Sequence, residues 1–386
     1  LVILDTPNGS SDNGYTNSPF YGCTSLKNIV LPERLTVIGR LAFGGLVSGR
    51  YGEKYIPPFE SISLPSTLKE IHEMAFLNAR NLKTVTFASG TTLSDACDGK
   101  AFAIGKQAFY YCTSLTEIAL PTSSEATYSI GDTAFAYTGL KEISIPKAVG
   151  WLGSGVFNRS SDLAKVVFEA GANPKCGASL FAYTAVSGVT LPEGVEAISN
   201  YMFQGCVNLT SVTVPASVKS IGISAFESCQ ALAKVTFATY EKDGKSYSNL
   251  ISIDNYAFSK TGITSFTFPT LEGTKTLDLG NSLFRSCMKL ETVGLYESVA
   301  EICTAFADCF SIRSFVVDEN NENFSSKPGS PILYNLNGTA YMYICGQLPA
   351  GEYVIPEGIV SIGDNVFKGQ VGITKVVIPR SMQTIG

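Results

Sequence analysis

The residues best suited to chemistry occur only once each in this chain. The single histidine, His72, stands where other segments carry Ile-Gly, and no motif of a nucleophile triad, a zinc protease or a phosphate loop accompanies it. We interpret His72 as a substitution tolerated at a turn. The single tryptophan, Trp151, replaces an apolar residue before Leu-Gly, which favours a core or half-buried position over a sugar-binding platform. Neither residue predicts a catalytic centre.

Carboxylates offer two further possibilities. Glu117 and Glu142 hold equivalent positions in neighbouring segments, and paired carboxylates are the groups with which glycosidases act. The simpler interpretation is that both face solvent from a sheet. The acidic stretch 318–322 could bind Ca²⁺ or form a solvated loop, and it lacks the Asp-x-Asx-x-Asx-Gly spacing of a known calcium loop. We therefore predict no metal, no cofactor and no enzymatic activity.

Cysteine recurs at a fixed place in the sequence. Six of the ten cysteines precede a strand at one repeated position, and two interpretations are open. Adjacent coils of a solenoid come close enough for disulfides. Alternatively, the thiols form a buried ladder of small apolar groups, which the absence of Cys-x-x-Cys or Cys/His zinc spacing favours. The six residues are Cys23, Cys112, Cys206, Cys229, Cys287 and Cys309.

A segment that recurs along the whole chain must position these groups. It reads CVNLTSVTVPASVKSIGISAF over residues 206–226 and CTSLKNIVLPERLTVIGRLAF over residues 23–43. Self-similarity at a fixed period of this length indicates a solenoid. The shortest steps between the closing phenylalanines, which we call marker phenylalanines, are 22 to 24 residues. They are Phe20, Phe43, Phe76, Phe109, Phe135, Phe157, Phe181, Phe203, Phe226, Phe258, Phe284, Phe306 and Phe367.

Each segment predicts a strand followed by a corner. Leu209, Val212 and Val214 show the apolar pattern of the strand, whose last two members share one face of a sheet. Nine strands end at proline, which cannot continue a hydrogen-bonded ladder. Ile-Gly then forms a corner, and we expect Ala-Phe on a short helical turn. Stacked segments bury a continuous core. We predict one solenoid domain over residues 1–386, with one parallel sheet and about 13 coils of 22–24 residues.

Longer steps between marker phenylalanines predict insertions. Loops are expected near 88–103 and 238–252 on one rim, and near 44–58 on another side. The largest insertion, 318–353, contains Asn337-Gly338 between apolar runs, which predicts a β-hairpin. The chain begins without methionine and ends within a repeat, so both ends are expected to be truncated.

Composition limits the partners. The net charge is −5 and lysine and arginine do not cluster, so nucleic acid and anionic membranes are disfavoured. No apolar run approaches the roughly 18 residues that a membrane-spanning helix needs.

The outer sheet face and the insertions are the candidate partner-binding surfaces. We expect short polar side chains along the sheet, and tyrosines in the 238–252 loop and in the hairpin. The sheet residues are Thr84, Thr86, Glu117, Glu142, Lys165, Thr190, Thr213, Lys234, Thr236 and Thr267. The tyrosines are Tyr240, Tyr247, Tyr341 and Tyr343.

The frame C-x-x-L-x-x-I-x-L-P-x-x-L-x-x-I-G-x-x-A-F, which runs from about residue 20 to 386, closely resembles the BspA-like subfamily of leucine-rich repeats. It differs from the ordinary leucine-rich repeat by proline after the strand. The resemblance implies a curved, right-handed β-α/β superhelix and a secreted or surface protein of bacteria that live on host mucosa. It also implies adhesion, including binding to extracellular matrix proteins and other bacteria. The motif carries no catalytic residues.

The leading hypothesis is therefore a monomeric cell-surface or secreted module that binds a protein or a glycan on host or neighbouring cells. One alternative is a structural spacer that lifts another domain from the surface. A further alternative, which the Glu117/Glu142 pair permits, is a β-helical carbohydrate-active enzyme.

Overall fold

The computed structural model describes residues 2–3, 19–20, 22–45, 55–95, 102–122, 127–273, 275–302, 304–335, 340–344 and 346–386. The chain divides into two compact units. Unit 1 contains residues 1–195 and 199–209, and unit 2 contains residues 196–198 and 210–386. The single domain over residues 1–386 stays a prediction.

Unit 1 contains two series of parallel strands. The outer sheet of the repeat, which we call the main ladder, consists of β3 (Ser61–Leu64), β5 (Thr84–Phe87), β6 (Glu117–Ile118), β8 (Glu142–Ile145) and β10 (Lys165–Phe168). A second series, the corner ladder, runs through the Ile-Gly positions. It consists of β1 (Val2–Ile3), β2 (Val37–Ile38), β4 (Glu70–Ile71), β7 (Tyr128–Ile130), β9 (Val149–Leu152) and β11 (Lys175–Cys176).

Unit 2 repeats both series. Its main ladder consists of β13 (Ser211–Val214), β15 (Lys234–Phe237), β19 (Ser265–Thr267), β21 (Thr292–Leu295), β22 (Ser314–Val317), β26 (Gly351–Val354) and β28 (Ile373–Val377). Its corner ladder contains β12 (Ala197–Ile198), β14 (Ser220–Ile221), β18 (Ser252–Ile253), β20 (Asp278–Leu279), β27 (Ser361–Ile362) and β29 (Thr384–Ile385).

The pairing within both units confirms the predicted parallel solenoid. In most strand pairs, equivalent residues of successive coils face each other in register, as in the pairs of Ser61 with Thr84 and of Ser211 with Lys234. The corner ladder adds a second line of parallel pairing to the single sheet that was predicted. It forms because the Ile-Gly backbones of successive coils also lie in register, as Ile221 and Ile253 do.

Each Ala-Phe segment forms turns that hydrogen-bond to the equivalent turns of the next coil. The predicted helical turn is therefore wrong. Thr133 and Tyr137, two residues before and after Phe135, both have positive φ, at 52° and 58°. Because positive φ recurs along the segment, the N–H groups of Thr133, Phe135 and Tyr137 point to the next coil. They donate to its carbonyl oxygens at N···O distances of 2.8, 2.9 and 3.0 Å. A helix would instead direct these N–H groups along its own segment. Within the described ranges no residue is helical, and hence no helix is long and apolar enough to cross a membrane.

Marker phenylalanines form the core of each unit. From Phe20 to Phe203 in unit 1, successive rings stack at centroid distances of 4.9 to 5.8 Å. From Phe226 to Phe306 in unit 2 the distances are 5.4 to 5.7 Å. Aromatic pairs of this kind add about 0.5–1.5 kcal/mol each beyond the burial of their area. The stack therefore makes neighbouring coils depend on one another.

A line of buried thiols and hydroxyls accompanies the stack. The third residue after most marker phenylalanines is Cys, Ser or Thr, and its side chain hydrogen-bonds the marker carbonyl of its own or the preceding coil. Cys112 Sγ donates to Phe76 O at 3.2 Å, and Cys287 Sγ donates to Phe258 O at 3.1 Å. Burial raises the pKa of both thiols, which keeps them protonated as donors. The seven cysteines that the structure describes are unbridged, five of them buried, so the buried-thiol interpretation holds there except at exposed Cys23 and half-buried Cys176.

Ser160 is the best test of this polar line. Its Oγ accepts the Thr138 N–H at 3.1 Å and donates to Phe135 O at 2.9 Å, with all groups buried. We expect Ser160→Ala to lower the free energy of unfolding by about 1–3 kcal/mol, because the Thr138 N–H loses its partner without gaining water. Urea unfolding followed by circular dichroism measures the change. Ser160→Cys, the residue of equivalent coils, should cost clearly less, and an equal cost would contradict this explanation.

Two hairpins leave the repeat in the part of the chain that the structure describes, both in unit 2. The predicted hairpin in 318–353 is confirmed by the antiparallel pairing of β24 (Ile332–Asn335) with β25 (Ala340–Ile344), and β23 (Phe324–Ser325) joins it. Its expected turn at Asn337-Gly338 lies outside the described residues. A second hairpin, β16 (Tyr240–Lys242) with β17 (Lys245–Tyr247), occupies the predicted 238–252 loop. Asp243 and Gly244 both have positive φ, as its two-residue turn requires. Residues 46–54 and 96–101 of the other expected loops lie outside the described ranges.

Candidate binding surfaces

The outer face of the main ladder is mostly polar, with exposed valines at Val167, Val316 and Val354. All ten predicted sheet residues are exposed, namely Thr84, Thr86, Glu117, Glu142, Lys165, Thr190, Thr213, Lys234, Thr236 and Thr267. Ion pairs join adjacent coils on this face, with Lys165 Nζ 3.1 Å from Glu142 Oε2 and Lys83 Nζ 2.8 Å from Glu60 Oε2. Exposed pairs of this kind contribute little to stability. The face offers mainly small side chains and several ion-paired charges, a weak basis for tight binding.

The predicted glutamate pair has an environment that does not suit a glycosidase. Glu142 is ion-paired with Lys165, and Glu117 lies exposed on β6 opposite Thr84. A general acid of this class needs a carboxyl group sheltered from water. The acidic stretch 318–322 is a structured turn, in which Asp318 Oδ1 accepts the Asn320 N–H at 2.9 Å and buried Asn321 hydrogen-bonds four backbone groups. In the described part of the chain, no group of three or more His, Cys, Asp or Glu residues could hold a metal ion.

Trp151 lies on the corner ladder and points outward. Its side chain is 39% exposed, so of the two expected positions, core and half-buried, the core position is wrong. The cause is a register shift in β9, where Tyr128 pairs with Val149 but Ser129 pairs with Trp151, which leaves Gly150 unpaired. Such a bulge reverses the direction of the following side chain. The indole therefore stands beside Ser129 and Lys175 on the surface.

The four predicted tyrosines have different environments. Tyr240 and Tyr247 face each other across the β16–β17 hairpin, and Tyr240 OH donates to Glu272 Oε2 at 3.0 Å. Tyr341 is fully buried and its OH lies 3.0 Å from Tyr353 OH, so its predicted role in partner contact is wrong. Tyr341 is buried because β25 enters the corner ladder beside β27. Tyr343 is half-buried, with its OH donating to Ile302 O at 3.1 Å.

A surface that was not predicted from the sequence lies in unit 1. We call it the Tyr–Arg ladder, and it consists of Arg80, Tyr110, Tyr111, Tyr137, Arg159 and Tyr183. Tyr111 and Tyr137 stack at 4.4 Å with ring planes 9° apart. The Arg159 guanidinium lies 4.6 Å from the Tyr183 ring centroid and 6.0 Å from that of Tyr137. Arg80 covers the other end, 5.4 Å from the Tyr111 centroid.

The backbone explains why these side chains align. Tyr111, Tyr137, Arg159 and Tyr183 are each the second residue after a marker phenylalanine, and their φ angles are 58° to 61°. The amides of these four residues all donate to the next coil, which fixes their spacing. Bulky residues are uncommon at positive φ, where Gly and Asn are preferred. Equivalent positions elsewhere carry Asn78, Gly205, Ser228, Lys260, Ser286 and Asp308. The tyrosine spacing after Phe109, Phe135 and Phe181 was the available signal.

The Tyr–Arg ladder has the chemistry of a protein-binding hot spot. Tyrosine and arginine are enriched among residues that dominate interface energies, and cation–π contacts pre-order them. Tyr183 is 41% exposed and its ring lies against Gly205, where a Cβ would be 2.5 Å from Cδ1. Burial raises the pKa of Tyr110, and the neighbouring Tyr137 and Tyr111 hydroxyls raise it further. The Tyr110 phenol therefore stays neutral, and the two arginines bring positive charge to the surface.

The repeat frame matches a family model described as a BspA type leucine rich repeat region. Six copies match, over residues 13–51, 53–102, 98–209, 174–248, 196–328 and 340–386. Together these copies cover most of the chain. A comparison with curated protein sequences found no significant match.

The chain is similar to solved structures of bacterial leucine-rich repeat proteins. A leucine-rich repeat protein from Bacteroides ovatus is 22% identical, with 91% of this chain and 78% of that chain covered and a TM-score of 0.53. A leucine rich cell surface protein from Faecalibacterium prausnitzii is 21% identical, with 90% and 83% covered and a TM-score of 0.45. The likeness to the Bacteroides protein shows a shared solenoid fold.

Proposed function

Because the chain belongs to the BspA-type leucine-rich repeat family, we propose that it is a secreted or cell-surface binding protein that acts without catalysis. The family resemblance supports the location and an adhesive role. The polar, ion-paired sheet supports the absence of an enzyme site. The observation that carries the proposal is the Tyr–Arg ladder, which gathers hot-spot residues on one surface of unit 1.

A protein partner fits this ladder better than a glycan does. Sugars bind to the free faces of aromatic rings, whereas Tyr111 and Tyr137 cover each other's faces and Arg159 covers Tyr183. Ring edges, hydroxyls and guanidinium N–H groups remain available, and these groups suit carbonyls and carboxylates of a protein surface. The exposed indole of Trp151 favours a glycan as the second candidate, because its face is the kind of platform that sugars use.

The test is a binding array of extracellular matrix proteins and glycans, followed by affinity measurement on any partner found. We expect Tyr183→Ala and Arg159→Ala each to weaken binding at least about tenfold, since hot-spot truncations cost about 2 kcal/mol or more. Lys260→Ala is the matched control, because Lys260 holds the same repeat position in unit 2 and is also exposed. Its affinity should be unchanged.

Other outcomes would redirect the proposal. If binding survives both ladder variants but is lost in Trp151→Ala, the binding surface is the one around Trp151 and a glycan becomes the favoured ligand. An array without any binding would favour the structural spacer. Unfolding curves of Tyr183→Phe and Tyr183→Ala show whether weaker binding comes from a lost contact with the partner or from a less stable fold, because Phe keeps the packing of the ring on Gly205.

A further inference from the structure

The turns that carry the marker phenylalanines form a row, which we call the turn ladder, and in the described residues of unit 2 this row is interrupted once. In this unit the marker turns follow at Phe226, Phe258, Phe284 and Phe306, and the next described turn is at Phe367. Between them β25 pairs with β27 in the corner ladder, but it continues as a strand to Ile344 where other coils form their turn. A cavity of about 250 Å³ lies between the Phe306 turn and the Phe367 turn. We call this cavity the turn gap.

One wall of the turn gap presents backbone donors. In the preceding coils the amides of Phe226, Phe258 and Phe284 donate to the next turn at 2.8, 3.0 and 2.8 Å. Ser286, two residues after its marker, donates to Ala307 O at 2.9 Å. The equivalent amides of Phe306 and Asp308 have no acceptor among the described residues. Buried or half-buried N–H groups without a protein partner are rare.

The opposite wall presents backbone acceptors. In the Phe284 turn, the carbonyls of Asn281, Leu283 and Arg285 accept from the Phe258 turn. The equivalent carbonyls in the Phe367 turn belong to Asp364, Val366 and Lys368. None of the three accepts a hydrogen bond within the described part of the chain. Donors and acceptors thus face each other across the turn gap in the pattern that a turn satisfies elsewhere.

The free space beside Gly363 shows how far apart the coils lie at the turn gap. A Cβ on Gly363 would meet its nearest atom, Tyr341 O, at 3.6 Å. The equivalent Gly280 packs so tightly on the preceding coil that a Cβ would lie 2.6 Å from the Asp254 carbonyl carbon. At the inner end, the Tyr343 ring meets the Phe306 ring edge-on at 5.7 Å and closes the core. The turn gap therefore has room for a short stretch of backbone with one apolar side chain.

We propose that the turn gap binds a short segment of a partner polypeptide, which takes the place of the omitted turn. Its carbonyls accept from the Phe306 and Asp308 amides, and its amides donate to the carbonyls of Asp364 and Val366. A small or aromatic side chain at its centre packs on Phe306 and Val366. This mode is strand addition adapted to a turn ladder, in which main-chain hydrogen bonds give affinity and one pocket gives specificity.

The charges at the turn gap favour a peptide over an anion. The carboxylates of Asp308 and Asp364 both line it, and they would repel a phosphate or sulfate from the free amides. Lys368 Nζ lies 3.4 Å from Asp308 Oδ1 at the rim, with the lysine side chain 61% exposed. The Asp308 side chain is 29% exposed, and Arg285 Nε lies 3.9 Å from its Oδ2, so Asp308 keeps a cation beside it when the exposed lysine moves aside for a ligand.

The experiment uses the whole chain and a blocked peptide that copies its own turn, residues 222–228 (GISAFES), as the probe. Calorimetry should detect binding. Hydrogen exchange should show that the Phe306 and Asp308 amides exchange faster than those of Phe284 and Ser286, and that the peptide slows them selectively. A peptide N-methylated at its phenylalanine, which removes the central donor, should not bind.

Ala307→Trp fills the turn gap and should weaken peptide binding at least tenfold. Glu227→Trp is the matched control, because Glu227 follows Phe226 as Ala307 follows Phe306, and it should leave binding unchanged. The proposal is overturned if the peptide fails to bind at millimolar concentration, or if binding leaves the Phe306 and Asp308 amides unprotected. Protection of these amides at high protein concentration without peptide would identify a second copy of this chain as the occupant instead. The ladder variants of unit 1 should not affect these results, so the two proposals can fail independently.

Discussion

Phe135→Ala is expected to lower the free energy of unfolding by about 3–5 kcal/mol, the cost of removing a buried aromatic ring from a close-packed core. The Phe135 ring is fully buried between those of Phe109 and Phe157, at 5.0 and 5.8 Å. Its loss removes the stacking contacts with both neighbouring rings and leaves a cavity. The hydrogen-bonded backbones of the coils on either side cannot move together to close it. Chemical unfolding followed by circular dichroism, with hydrogen exchange of the Phe109 and Phe157 amides, measures the change.

Two variants make this expectation specific. Phe310→Ala removes a phenylalanine that is 36% exposed and outside the stack, so less buried area is lost and the cost should be clearly smaller than for Phe135→Ala. Phe135→Leu fills part of the space and should fall between the two. If Phe135→Ala and Phe310→Ala cost the same, the marker stack is not what holds the coils together. Because neighbouring coils carry most of the coupling, amide protection should fall most in the coils that flank residue 135.

Gly280→Ala is expected to destabilise the fold by about 1–3 kcal/mol, as an overpacked site does, whereas Gly363→Ala should be within about 0.5 kcal/mol of the original chain. Both glycines hold the same position after the corner ladder. A Cβ on Gly280 would lie 2.6 Å from the Asp254 carbonyl carbon, and backbone atoms of a neighbouring coil cannot move aside. A Cβ on Gly363 meets nothing closer than 3.6 Å. Thermal unfolding of the two variants gives the comparison.

The difference between the two glycines tests the turn gap without any ligand. Equal destabilisation by both substitutions would mean that the coils around Gly363 are as close as the others, and the turn gap would then be closed in solution. Equal tolerance would mean that the Gly280 corner can relax, which would remove steric closeness as the reason for glycine in the repeat.

The sequence allowed the parallel solenoid to be predicted because its signals are local. Marker phenylalanines fix the coil length, and proline fixes the end of each main strand, as Pro215 does after Val214. The β24–β25 hairpin followed from Asn-Gly between apolar runs. The same argument applied to Asp243-Gly244 would have predicted the β16–β17 hairpin, where only a loop was expected.

What the sequence did not reveal depends on contacts between coils. Ala-Phe resembles the start of a helical turn, but its amides bind the next coil, and no local pattern encodes that preference. Trp151 is outward because Gly150 is unpaired in a bulge, and Tyr341 is inward because β25 joins the corner ladder. The Tyr–Arg ladder was visible only after aligning residues two places beyond each marker, a position at which side-chain direction follows from positive φ.

The turn ladder also has an electrical consequence. The amides of Phe226, Phe258 and Phe284 all donate toward the later coil, so these peptide groups of unit 2 are oriented alike up to the Phe306 turn. Aligned peptide dipoles sum to a partial charge at the ends of their row, as they do in an α-helix, and here the positive end lies at the Phe306 turn. The Asp308 carboxylate lies at that end. It interacts favourably with the positive end of the row, as an acidic residue does in the first turn of a helix. A solenoid built from such turns acquires a polarity along each uninterrupted row.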